Sequence, residues 1–141
     1  MIVSAKLCLQ RPRRGYCREL PASTDSAEAA RRLVETALSD WRLECLADDG
    51  TLVVSELVAN AVRHTDSRRI QIVVRRSGER SVRIGVIDTA RVIPAPAKPQ
   101  DHLSTSGRGL LLVDALAQRW GTDLYHFGKQ VWAELISEPA R

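Results

Sequence analysis

Apolar residues recur along the chain with two different periods, and each period predicts its own kind of element. A spacing of three to four residues predicts helices from Ser26 to about Ser39, from about Leu46 to His64, and from Gly109 to Gln118. Alternation of apolar and polar positions, bounded by turn residues, predicts strands. The predicted strands cover residues 15–20, 70–74, 81–88, 120–127 and 129–136.

Helices and hairpins in this order predict an α+β fold. Strands joined by short turns pair antiparallel, and amphipathic helices need an apolar surface on which to bury one face. We therefore expect a two-layer α/β sandwich, in which helices cover one face of a mixed, mostly antiparallel sheet. A length of 141 residues fits one domain, which we assign to residues 14–137, after a loosely ordered basic segment at residues 1–13.

An acid and an amide lie one turn apart on the second predicted helix. Glu56 and Asn60 stand at the edge of its apolar stripe, with Cβ atoms roughly 5–6 Å apart. Burying either group without a partner costs on the order of a few kcal/mol. A divalent metal on the Asn60 oxygen, with Glu56 beside it as a proton acceptor, satisfies both groups. Hydrogen bonds to the protein backbone or to water satisfy them as well. The stripe consists of Val54, Leu57, Val58 and Ala61.

Two further features carry candidate chemistry. Asp88 ends a predicted strand, where its carboxylate is suited to accept hydrogen bonds from an exocyclic amine, although an aspartate there is also a common turn former or helix cap. Gly107 and Gly109 precede the third predicted helix. Closely spaced glycines let backbone N–H groups approach a phosphate at a helix N-terminus, and they are also ordinary punctuation before a helix.

In this order, the motifs resemble those of the Bergerat-type (GHKL) ATPases and kinases, a family that includes histidine-kinase catalytic domains and gyrase-like ATPases. Residues 56–61 resemble its N box, Asp88 stands in the place of its adenine-binding aspartate, and residues 107–110 resemble its second glycine box. The similarity covers roughly residues 20–136. It is greatest with the stand-alone anti-sigma-factor serine kinases of actinobacterial type, through residues 60–64, 106–113 and 128–132.

The resemblance implies a Bergerat ATP-binding fold that binds ATP and Mg²⁺. It implies that Asn60 is the magnesium ligand, that Glu56 accepts the proton of an attacking hydroxyl, and that the proline-rich residues 89–106 form a lid. The other nucleotide contacts it implies are Asp88, Gly107, Arg108, Gly109 and Leu110. The implied function is a serine/threonine kinase that sequesters a sigma factor and phosphorylates an anti-anti-sigma-type antagonist protein, with a homodimer as a possible form.

The chain departs from the family pattern at two places. The first glycine box usually reads Asp-x-Gly, whereas this sequence has Asp88-Thr89-Ala90, and Gln130 occupies a position where related sequences often have an adenine-contacting threonine. A Cβ at position 90 can crowd the adenine or exclude a positive φ. These departures motivate a second hypothesis, a protein-binding module of the same fold whose catalysis has lapsed.

The net charge is +4, and basic residues are concentrated at the N-terminus. A nucleic-acid-binding arm is therefore a third hypothesis, although the segment lacks interleaved aromatic residues. A solvated tail and a docking site for an acidic protein are the other interpretations of the same charges. The residues before the first acid, Glu19, include Lys6, Arg11, Arg13, Arg14 and Arg18.

Two observations bear on location. No apolar run reaches the roughly 18–20 residues that a membrane helix needs, so we expect no membrane association. Cys8, Cys17 and Cys45 are odd in number and fall at no metal-binding spacing. We therefore expect reduced thiols and a cytoplasmic protein.

Overall fold

The computed structural model describes residues 15–64, 68–88 and 105–138, with residues 105–109 described by their backbone alone. The helices are α1 (Ser26–Asp40), α2 (Ala47–His64) and α3 (Thr105–Leu116), and a short 3₁₀ helix at Glu44–Leu46 leads into α2. The strands are β1 (Gly15–Pro21), β2 (Arg69–Gly78), β3 (Ser81–Asp88), β4 (Arg119–Tyr125) and β5 (Gly128–Ile136).

The five strands form one sheet in the order β1-β2-β3-β5-β4. All four pairings of these described strands are antiparallel. The expected two-layer α+β sandwich is thereby confirmed, and its sheet is antiparallel throughout rather than mixed. Two of these pairings have a local reason, because β2 turns directly into β3 and β4 turns directly into β5, and tight turns of this kind join antiparallel strands.

Strand alternation directs one set of side chains towards the helices. Ile72, Val86 and Val131 lie side by side on neighbouring strands, and all three are buried. Helix α2 covers them with the predicted stripe, whose four residues are buried. Gly50 lets α1 approach α2, since a Cβ there would lie 3.1 Å from Cγ1 of Val34. Each large aliphatic side chain buried in this layer contributes about 1.5–3 kcal/mol.

The opposite side of the sheet, which we call the outer face, carries more polar side chains. The register places the next residue of each strand there, so that Gly85 pairs with Trp132 and Ile87 with Gln130. Cys17 also lies on this face and is disulfide-bonded, so the expectation of reduced thiols is wrong for Cys17, whereas Cys45 is a free, exposed thiol. The outer face includes Cys17, Gln71, Val73, Arg75, Arg83, Gly85, Ile87, Arg119, Gly121, Asp123, Tyr125, Gln130, Trp132 and Glu134.

Two boundaries differ from expectation or lie beyond what is described. Helix α3 begins at Thr105 and not at Gly109, so the last two residues of the predicted lid, 105 and 106, are helical. The rest of that lid and the basic segment at residues 1–13 lie outside the described residues. In the described ranges, no helix has the length and apolar content needed to cross a bilayer.

Candidate nucleotide-binding site

Helix α2 positions Glu56 and Asn60 at the border of the core. Both residues are half-buried, while Leu57 and Ala61 between and beyond them are buried against the sheet and the neighbouring helices. The helical repeat produces this arrangement, because residues four apart lie on one side of the helix. The acid and the amide therefore stay within reach of a ligand that approaches from solvent.

Asp88 lies at the end of β3 and faces the helical layer. It pairs with Ile70 of β2 and with Lys129 of β5. Its carboxylate Oδ2 lies 3.9 Å from Nζ of Lys129, and the side chains of Asp88 and Lys129 are 2% and 8% exposed. The end of β3 therefore carries a buried ion pair and not an isolated carboxylate.

His64 links this ion pair to the helix that carries Glu56 and Asn60. Burial lowers the pKa of His64, and the positive charges of Lys129 and Arg63 lower it further, against a smaller opposing effect of Asp88. The imidazole is therefore neutral at pH 7. Because Lys129 and Asp88 both act on His64, the C-terminal end of α2 lies within electrostatic range of the ion pair.

The second glycine motif opens α3. Gly107, Arg108 and Gly109 lie within the first turn and a half of this helix, whose backbone begins at Thr105. The first N–H groups of a helix have no partner within the helix and carry the positive end of its dipole. Helix α3 packs against α2, so these donors belong to a neighbour of the helix that carries Asn60. Leu110 is half-buried, and Val113, one turn further on, is fully buried.

The donor chemistry of these residues fits a magnesium–nucleotide complex. Magnesium prefers hard oxygen ligands, keeps several waters, and is usually held by one or two protein groups together with phosphate oxygens. The amide of Asn60 offers a hard oxygen donor of this kind, and Glu56 lies one turn away on the same helix. Within the described ranges, no three His, Cys, Asp or Glu side chains converge on a common point.

The sequence analysis did not single out Lys129, and it placed the adjacent Gln130 where related sequences contact the adenine. Gln130 lies on the outer face, where its Oε1 accepts a hydrogen bond of 3.0 Å from the Tyr125 hydroxyl. It is thus on the opposite side of the sheet from Asp88, and the expectation that it occupies an adenine-contacting position is wrong. The alternation of β5 carries the signal, because Val131, Ala133 and Leu135 are core residues and position 129 shares their face.

The outer face has a charged cluster and a cavity of its own. Glu134 accepts hydrogen bonds from Nε of Arg119 at 2.9 Å and from Nε of Arg83 at 3.2 Å. The Arg83 guanidinium lies 3.9 Å from the ring centre of Trp132. A cavity of about 140 Å³ adjoins this cluster on the outer face, whereas Asp88 faces the helices on the other side of the sheet. It is lined by Val73, Arg75, Arg83, Ile87, Asp123, Tyr125 and Gln130.

Solved structures of two other proteins resemble the chain. The crystal structure of the RsbU and RsbW domains of a Mycobacterium tuberculosis protein is 22% identical, with a TM-score of 0.66, over 92% of this chain and 34% of that one. The histidine kinase domain of a blue-light-activated histidine kinase from Erythrobacter litoralis is 20% identical, with a TM-score of 0.52, over 83% of this chain and 61% of that one. Both similarities concern the fold, and this chain spans less than two thirds of either one.

A comparison with curated protein sequences gives no match. A family model described as the histidine kinase-like ATPase domain matches residues 20–133, most of the chain. That range includes every candidate residue described above, from Glu56 to Lys129. The chain therefore belongs to the histidine kinase-like ATPase domain family and carries a nucleotide-binding domain of the GHKL type.

Proposed function

We propose that this protein binds Mg-ATP beside α2, the end of β3 and the start of α3, and that it transfers the terminal phosphoryl group to a serine or threonine of a partner protein. The family membership supports nucleotide binding. The observation that carries the location is that α2, with Glu56 and Asn60, packs against β3, whose last residue, Asp88, is buried beside Lys129.

Each candidate residue has a role in this proposal. Asn60 supplies an oxygen to magnesium, which when bound neutralises charge on the phosphates. Asp88 accepts a hydrogen bond from the adenine amine. The start of α3, where residues 107–110 lie, faces the phosphates with the N–H groups of its first turn, which lack a partner within the helix. Glu56 accepts the proton of the attacking hydroxyl. Phosphoryl transfer depends mainly on positioning and charge stabilisation, so this small set of residues is sufficient.

The regulatory part of the proposal concerns partners. The sequence motifs most resemble anti-sigma-factor kinases, and one similar structure contains domains named RsbU and RsbW. We therefore infer that the protein sequesters a sigma factor and phosphorylates an anti-anti-sigma-type antagonist. The proposal places the protein in the cytoplasm, where ATP and the transcription machinery are found.

Calorimetric titration with ATP, in the presence and absence of Mg²⁺, tests nucleotide binding. We expect magnesium-dependent binding to the parent protein, and a loss of affinity of about 100-fold or more in Asn60→Ala, because one metal ligand is removed. Asn60→Asp retains an oxygen ligand and should restore most of the affinity.

Ser55→Ala is the matched control for Asn60→Ala. Ser55 lies on the same helix, and its hydroxyl accepts a hydrogen bond of 3.0 Å from Arg31 of α1, so the control perturbs α2 on the side facing α1. It should bind Mg-ATP as the parent does. Equal affinity of the parent and Asn60→Ala would remove Asn60 from the site.

The lapsed binding module remains the second candidate, and the observation that favours it is Ala90 in place of the glycine of Asp-x-Gly. Residues 89 and 90 lie outside the described residues, so this argument comes from the sequence. A parent protein that retains partner binding but gives no heat with Mg-ATP would favour this candidate over the kinase.

A further inference from the structure

Lys129 is unusual because it is a buried lysine. It is the one lysine in the part of the chain that the structure describes, and its side chain is 8% exposed. Lysine is almost never buried unless it is paired, since desolvating an ammonium is expensive. Its partner is the carboxylate of Asp88, which is buried to a similar extent.

The sheet fixes this partnership. Asp88 and Lys129 are direct cross-strand neighbours on β3 and β5, on the face that the helices cover. Paired positions have Cβ atoms about 4.5–5.5 Å apart, so the ammonium and the carboxylate lie within reach of one another. Gln130, the next residue, lies on the opposite face. Lys129 is therefore part of the environment of Asp88, and Gln130 is not.

The ammonium determines which hydrogen bonds Asp88 can make. A neighbouring positive charge stabilises the ionised carboxylate, and an ionised carboxylate accepts hydrogen bonds but donates none. A buried carboxylate without a nearby cation is expected to take up a proton. It then has one donor in addition to its acceptors.

This difference matters for a purine base. Adenine has an amine at C6, which donates to a carboxylate, whereas hypoxanthine and guanine have a carbonyl oxygen there, which meets a carboxylate as acceptor against acceptor. We propose that Lys129 is a specificity-determining, positioning residue: by holding Asp88 as a pure acceptor, it selects purine nucleotides that carry an amine at C6 over those that carry a carbonyl. This inference rests on the proposed nucleotide site.

The test compares calorimetric affinities for Mg-ATP and Mg-ITP, since inosine triphosphate replaces the C6 amine by a carbonyl. The parent should prefer ATP by at least about tenfold, the cost of one mispaired buried hydrogen bond. In Lys129→Met the ratio of the two affinities should fall to about threefold or less. Lys129→Arg keeps the charge and should keep the preference for ATP.

Two other variants separate this role from a structural one. Gln130→Met changes the adjacent residue on the outer face and should retain the parental ratio, with Lys129→Met and Gln130→Met both checked for a cooperative thermal transition. Asp88→Asn puts a donor at the base without removing Lys129, so it should also reduce the ratio. It provides a second test if Lys129→Met does not fold.

The outcomes are distinct. A parent that binds ITP as well as ATP overturns the inference, because the ammonium would then serve the carbonyl directly. A parental ratio in Lys129→Met also overturns it, while the proposed function stands. A parental ratio in Asp88→Asn overturns the inference together with the adenine contact proposed for Asp88, while Mg-ATP binding itself stands. A parent that binds neither nucleotide overturns the proposed function together with the inference.

Discussion

The two faces of the sheet each carry a charged cluster, but the clusters are built differently. On the outer face, both carboxylate oxygens of Glu134 accept hydrogen bonds from arginines, at 2.9 and 3.2 Å. On the helix-facing side, Lys129 and Asp88 are 3.9 Å apart, beyond the 2.7–3.2 Å of a direct hydrogen bond. Residues of the two clusters lie close together in sequence, because consecutive residues of a strand point to opposite faces of the sheet.

This difference indicates what each cluster does. The carboxylate of Glu134 is fully engaged by Arg83 and Arg119, so its interactions stabilise the fold. The Asp88–Lys129 pair is buried on the side of the sheet against which α2, the helix of Glu56 and Asn60, packs. The proposed nucleotide site lies with the helix-facing cluster, and we expect the outer cluster to stabilise the fold.

Replacing glutamate by glutamine on each side of the sheet, at Glu56 and at Glu134, gives the largest expected difference in phosphoryl transfer. Glu56→Gln should lower phosphoryl transfer by about 10²–10⁴-fold, because it removes the general base, while the affinity for Mg-ATP stays within about threefold. Transfer is measured as labelled phosphate passed from ATP to a purified anti-anti-sigma-type antagonist. Glu134→Gln is the control and should transfer at the parental rate. Parental transfer by Glu56→Gln would show that Glu56 is not the proton acceptor.

The two faces of the sheet should contribute differently to the free energy of unfolding. Ile84 is fully buried on the helix-facing side, so Ile84→Ala should lower the free energy of unfolding by about 2–5 kcal/mol. The adjacent Arg83→Ala removes one of the two arginines bound to Glu134 and should lower it by about 0.5–1.5 kcal/mol. Urea denaturation measures both values. A larger loss in Arg83→Ala would mean that the outer cluster, and not the aliphatic layer, dominates stability.

The outer cluster should also show in the pH dependence of stability. Burial raises the pKa of Glu134, but the hydrogen bonds and charges of Arg119 and Arg83 outweigh burial, and the net pKa is lowered. A carboxyl group with a lowered folded-state pKa stabilises the fold above its unfolded pKa, about 4.3. That stabilisation is lost as the pH falls through the folded-state value.

Glu134→Gln should therefore unfold with a free energy about 1 kcal/mol below the parent at pH 7. The difference should shrink as the pH falls below about 4. Urea unfolding of both proteins at several pH values measures it. A difference that stays constant down to pH 3 would contradict the assignment of Glu134 as a stabilising carboxylate.

The sequence predicts the helix of Glu56 and Asn60 well, because long apolar periodicity is a strong signal and the stripe at Val54, Leu57, Val58 and Ala61 is buried as expected. It also predicts the β2–β3 and β4–β5 hairpins. The position of Lys129 against Asp88 depends on the register between β3 and β5, which are separated by α3 and β4 in the chain. Pairing of strands so distant in sequence cannot be derived from local patterns, so the sequence did not indicate that Lys129, and not Gln130, lies beside Asp88.

The start of α3 and the outer cluster were missed for related reasons. Glycines at 107 and 109 disfavour helix locally, yet the helix extends back to Thr105, because packing of α3 against α2 outweighs propensity. Arg83, Arg119 and Glu134 read as ordinary surface charges in the sequence. Only the sheet order, which brings β4 and β3 to either side of β5, joins them.

A crystal structure with Mg²⁺ and a non-hydrolysable ATP analogue tests the central claim most directly. The account predicts that the adenine amine lies against the Asp88 carboxylate, that the metal contacts the Asn60 amide oxygen, and that the phosphates meet the first turn of α3. A nucleotide bound in the outer-face cavity beside Arg75 and Tyr125, with Asp88 and Asn60 untouched, would contradict it.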